Sequence, residues 1–223
     1  MSGRAFSKST SAMLTIFFWL CSHHALSQEF NPALDDWRKA HHVEFKKITP
    51  TKYQIVNNTI SAQVESSGSA LVLPFSTPRK VSAVRVKMTF ENAMANFPSQ
   101  KRVQREGDDF ILRVGLLMHG KAPWVPFIAP EWVKMLQSVM IHPSDKMIYQ
   151  VAAMPQELPA KWVSPYSDSV FNELMSCHPM TSVNEWECAT RFELREIVGL
   201  WLMADGDDLK SKNSVVIKSL VVE

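Results

Sequence analysis

The chain predicts an all-β fold: an antiparallel β-sandwich with one or two short helices. Three observations carry that expectation. About nine short apolar or alternating segments are separated by turn-forming groups such as Asn57-Asn58 and Ser66-Ser67-Gly68. Only the stretch from Glu131 to Met140 has helical spacing over more than a turn or two. Two long apolar runs, Phe110 to Met118 and Ile197 to Ala204, are each bounded by an acidic turn. Runs so nearly apolar over that length, the first broken only by Arg113, read as strands covered on both faces.

Residues 1–27 stand apart. Arg4 and Lys8 supply a positive start, Met13 to Leu20 an uncharged apolar stretch, and Ala25 and Ser27 a small-residue cleavage site before Gln28. This is the layout of a secretory signal peptide. Cys21 follows Leu20 rather than a small residue, which argues against lipidation. No later segment approaches the about 20 apolar residues of a membrane-spanning helix. The expected product is an exported, periplasmic or extracellular protein with no transmembrane segment, its residues 28–223 forming a single β-sandwich domain.

Charge narrows the partners. The formal net charge of +2 comes from 24 basic and 22 acidic residues. Loss of Arg4 and Lys8 with the leader brings it to zero. Without a basic excess or patch, nucleic acid is excluded as a partner. Cys177 and Cys188 remain after cleavage, and an even count in an oxidising compartment predicts a disulfide.

The elements follow in order. Asp35 to Ala40 is expected to form a helical turn before the first strands. Tyr53 to Val56 and Thr59 to Glu65 flank the Asn-Asn turn, and Ile60, Ala62 and Val64 alternate with polar neighbours. Ala70 to Leu73 and Val84 to Phe90 read as two further strands. Asp109 to Met118 is apolar except for Arg113, a cation that burial would force to find a carboxylate or backbone oxygens. Prolines 123, 126 and 130 keep the aromatic segment 120–130 out of a sheet. Helix 131–140 would bury Trp132, Met135, Leu136 and Val139. Strands at Lys146 to Ala153, Thr190 to Glu193, Ile197 to Ala204 and Ser214 to Val222 complete the pattern.

The Tyr53 strand, the Gly107-Asp108-Asp109 turn with its Arg113-bearing strand, and Leu202-Met203-Ala204-Asp205-Gly206-Asp207-Asp208 resemble the bacterial exported family called domain of unknown function 3047. The resemblance implies a jelly-roll-like sandwich and an exported location, with no assigned activity.

Motifs for the commoner chemistries are missing: no G-x-S-x-G, no H-E-x-x-H and no phosphate-binding glycine loop. The acidic set Asp108, Asp109, Asp205, Asp207 and Asp208 admits three readings. These are turn formers, ligands of a Ca²⁺ ion, or a carboxylate pair for glycan hydrolysis. Antiparallel pairing of their two strands would bring both turns together. Trp124, Phe127 and Trp132, with Arg113, are the candidate ligand-binding residues, because an aromatic face stacks on the apolar face of a sugar. The function expected is a non-catalytic binding module for carbohydrate or envelope glycan. The alternatives are a glycan-acting hydrolase and an envelope protein-interaction domain.

Overall fold

The computed structural model describes residues 34–91, 103–121, 129–153, 161–167, 171–179 and 184–223. The predicted leader, Cys21, Trp124 and Phe127 lie outside the described residues.

A hairpin opens the sheet. Strand β2 (Lys52–Val56) turns through Asn57 and Asn58 into β3 (Thr59–Glu65). Both asparagines take positive φ, at 49° and 56°, as a two-residue hairpin requires of its turn. The chain then enters β4 (Gly68–Glu91), which is one strand where the sequence reads as two. Its partner β9 (Glu185–Asp205) likewise joins two predicted strands. The two run antiparallel along nearly their whole length, with register shifts at Pro74/Arg79 and Val81/Ala83. A proline and polar residues look like a strand break in sequence, but a bulge accommodates them without ending the strand. Gly199 lies at the bend because a Cβ there would come within 2.9 Å of the Leu73 carbonyl oxygen.

Around this pair the strands form one ten-stranded sheet. Its order is β2-β3-β10-β4-β9-β5-β6-β8-β7, with β1 (His41–Glu44) beside the first part of β4. The remaining strands are β5 (Leu112–Met118), β6 (Lys146–Ala153), β7 (Lys161–Val163), β8 (Asn172–Pro179) and β10 (Lys212–Val222). Most pairs are antiparallel, as expected, but β6 and β8 run parallel, so the sheet is mixed. Strands β1, β7 and β8 were not expected from the sequence.

Two cores lie on opposite faces of the central strands. Leu200, Leu202 and Ala204 of β9 join Val84, Val86 and Met88 of β4 and the inward residues of β3 and β10 in the first. Val198, Trp201 and Met203 face the other way, meeting Val43 of β1 and Val133 and Leu136 of helix α1 (Glu131–Val139). The result is a sandwich-like, all-β fold whose middle strands are covered on both sides, in keeping with their apolar runs. On α1 the buried residues are Val133 and Leu136, whereas Trp132, Met135 and Val139 are only partly buried. The helix is turned relative to the stripe its sequence predicts. Among the described residues no helix is long and apolar enough to cross a membrane.

The expected Cys177–Cys188 disulfide is not formed. Cys188 is a free, buried thiol in the first core, 3.1 Å from the Thr190 hydroxyl. Spacing along the chain does not fix which residues meet across a sheet. Burial pushes the Cys188 thiol up to about 11. With Cys21 and Cys177 replaced by serine, the native protein is therefore expected to resist thiol reagents at pH 8 and to react fully once unfolded. Rapid labelling of the folded protein would show the thiol to be accessible.

Candidate functional site

Antiparallel pairing of β5 with β9 sets Arg113 opposite Met203, so the start of one strand lies beside the end of the other. This brings the two acidic turns together. Phe110 N–H donates to Asp205 Oδ1 at 3.0 Å, and Asp205 N–H donates to the Phe110 carbonyl at 3.3 Å. Asp109 receives the N–H groups of Asp208 and Leu209, at 3.3 and 2.7 Å, and so holds the second turn in shape.

Arg113 extends from β5 into the gap, 5% exposed. Its Nη1 donates to Asp108 Oδ2 at 2.7 Å. Its Nη2 donates to the Asp108 carbonyl and to the Asp205 carboxylate. One guanidinium thus bridges a carboxylate from each turn, a task suited to a planar fork of donors. The rings of Phe110 and Tyr149 lie 5.1 and 5.9 Å from its Cζ.

A single cation does not balance the acids around it. Asp108, Asp109, Asp205 and Glu173 are all buried. Burial, the largest cause, pushes Asp108 up to about 6 and Asp109 and Asp205 each up to about 7. Arg113 offsets part of that rise at Asp108 and Asp205. For Asp109 the neighbouring carboxylates, Asp205 foremost, add to it. Burial alone would lower Arg113, but Asp108 and Asp205 hold it well above its ordinary range.

Asp109, Asp205 and Asp207 each bring an oxygen within 4.8 Å of the others. The fit to a Ca²⁺ ion is poor all the same. Such an ion takes about six to eight oxygens. Both oxygens of Asp109 already accept backbone N–H groups, and those of Asp205 accept Phe110 N–H and Arg113. Asp108 is tied to Arg113, and Asp208 is exposed at the surface. Internal donors meet most of what the ion would.

Beside the cluster lies a cavity of about 320 Å³. Its deep wall carries Asp108, Arg113, Glu173, Asp205, Tyr149 and Trp201, all buried. Its rim carries the partly exposed Trp132 and the exposed Tyr166, Lys46 and Glu131. Glu173 accepts the Tyr149 hydroxyl at 2.9 Å and the Ser164 hydroxyl at 3.0 Å. Trp132 meets Trp201 edge-on, at 5.9 Å and 71°. Three buried polar atoms of the deep wall have no partner: Asp108 Oδ1, Arg113 Nε and Trp201 Nε1.

Of the predicted ligand-binding residues, the structure brings Arg113 and Trp132 to this cavity. Of the acidic set, Asp109 lies behind it and the other four line it. Tyr149, Tyr166, Glu173 and Trp201 were missed. Trp201 reads as core from its strand, and it is core by burial, yet its indole N–H is unpartnered at the cavity wall. Glu173 lies on β8, whose sequence carries no alternation to mark a strand.

No protein-family model matches the chain. No curated protein matches it either.

Proposed function

We propose that the protein is an exported, non-catalytic binding module whose ligand, a carbohydrate or envelope glycan, sits in the cavity between the acidic turns and α1. The observation that carries this reading is the unpartnered pair Asp108 Oδ1 and Trp201 Nε1, one acceptor and one donor, buried at 2% and 1% exposure beside that cavity. A buried polar atom without a partner costs about 1–3 kcal/mol, and a hydroxyl-bearing ligand supplies partners to both. Trp132 and Tyr166 at the rim offer ring faces for the apolar side of a sugar. A volume of about 320 Å³ is at the small end for ligand sites and suits a monosaccharide-sized group. Export rests on the leader-like start of the sequence, and the likeness to the domain of unknown function 3047 belongs to the same reading.

The geometry favours binding over glycan hydrolysis. A hydrolase needs two carboxylates free to face the bond, whereas among the buried acids of the turns Asp108 and Asp205 are tied to Arg113 and Asp109 does not line the cavity.

A glycan array followed by calorimetry tests the proposal. Trp132→Ala is expected to weaken the selected glycan about tenfold, the loss of one stacking contact of about 1–1.5 kcal/mol, with an unchanged circular dichroism spectrum. Absence of any glycan ligand, or full affinity in Trp132→Ala, would overturn it.

A further inference from the structure

We infer that the ligand of this cavity is cationic: an ammonium group on a hydroxylated body, such as a glycan whose amino groups are free rather than acetylated. The inference rests on the binding-module reading above and narrows its ligand class.

Charge is the first argument. On the deep wall the buried ionisable side chains Asp108, Glu173 and Asp205 face one cation, Arg113. Asp109 is packed behind them against the same turns, and Asp207 and Asp208 continue the negative side towards the rim. Lys46 also lines the cavity, but it is exposed and solvated. The wall therefore carries an excess of negative charge in a poorly solvated place, where an opposite charge gains most.

Asp108 Oδ1 is a buried acceptor with nothing to accept from, in a residue whose other carboxylate oxygen already accepts from Arg113. An ammonium group has three donors and no acceptor, so it complements that oxygen without leaving a lone pair unmet. An acetamido group would offer Trp201 Nε1 a carbonyl but would bring no positive charge to the wall.

The third argument is the aromatic lining. Trp132, Trp201, Tyr149 and Tyr166 surround the acids, and ring faces attract cations. Two of these tyrosines already lie beside one. Arg105 sits 5.4 Å from the Tyr166 ring centre, and Arg113 sits 5.9 Å from that of Tyr149. A neutral sugar would use the rings and could donate a hydroxyl to Asp108 Oδ1, but it would leave the excess negative charge of the wall unmatched.

Calorimetry on the whole protein with three oligosaccharides of equal length decides the matter: a glucosamine oligomer, its N-acetylated counterpart and a neutral glucose oligomer. The amine form is expected to bind at least about tenfold tighter than either, with the advantage shrinking as salt rises and screening grows. Asp108→Asn is expected to remove most of that advantage. If this variant does not fold, the salt dependence on the unaltered protein still decides. Equal affinity for all three, or a preference for the N-acetylated form, overturns the inference and leaves the binding-module reading standing. Failure of all three to bind also overturns the inference, and the glycan array then decides the binding-module reading separately.

Discussion

Arg113→Met is expected to destabilise the protein by about 3–5 kcal/mol, the usual cost of removing one partner from a buried ion pair. For a chain of this size that is a fall in melting temperature of roughly 10 °C. The side chain is nearly isosteric with the aliphatic part of arginine, so packing against Phe110 and Tyr149 largely survives. What disappears is the bridge from β5 to both acidic turns. Asp108 and Asp205 then face each other's charge, with Asp109 and Asp207 close by. The turns respond by taking up protons or by opening. The loss should accordingly be smaller at pH 5 than at pH 8, which separates a charge effect from a cavity effect. Arg113→Lys should fall between the two, since one ammonium cannot span both carboxylates as a fork does. Chemical denaturation at the two pH values provides the measurement. An unchanged midpoint in Arg113→Met at pH 8 would show that the bridge contributes no stability.

Much of this arrangement was legible in the sequence, for reasons that separate cleanly. Phe110 to Met118, apart from Arg113, and Ile197 to Ala204 announce central strands, because strands covered on both faces are apolar at nearly every position. A lone arginine in such a strand announces an ion pair. The acidic turns sit at opposite ends of their strands, so antiparallel pairing brings them together, and β5 and β9 do pair in that sense. The parts that were not legible depend on long-range choices. Whether Pro74 to Val81 ends a strand or only bends it depends on β9 lying alongside. Nothing in Asn172 to Pro179 shows that it will pair parallel to β6 and deliver Glu173 to the cavity. The disulfide failed on a related ground: spacing along the chain does not show that Cys188 packs as a free thiol in the first core. Trp201 shows a subtler limit, since a residue can be core by burial and still line a cavity with its one polar atom unpartnered.

The stability of the fold is expected to decline as pH rises from 5 to 8, the reverse of the behaviour of proteins whose carboxylates are held low. In the unfolded chain the aspartates titrate near 3.8, whereas in the fold Asp108 lies near 6 and Asp109 and Asp205 near 7. Between those values the native state holds protons that the unfolded state has released. Stability therefore has its full contribution below about pH 4 and loses it as pH rises through 6 and 7. One shared proton is worth about 1.4 kcal/mol per pH unit, so about 3 kcal/mol disappears between pH 5 and 7. The groups interact within a few ångströms, so the protons belong to the cluster rather than to one residue. Asp205, Asp207 and Asp208 face Asp109 and repel its charge, while the Leu209 N–H holds it down. Removing one of those neighbours should relieve the cluster only when it is ionised. Asp207 is the choice, being half-exposed and free of the hydrogen bonds that tie Asp109 and Asp205 into the turns. Asp207→Asn is expected to raise stability by about 1 kcal/mol at pH 8, allowing for solvent screening of a charge at roughly 5 Å, and to leave it unchanged at pH 5. The difference between the two curves isolates the acidic turns. Melting curves of both proteins across pH 5 to 8 make the test. A native stability that stays level or rises over that range, with Asp207→Asn neutral throughout, would mean that the buried carboxylates are ionised at no cost.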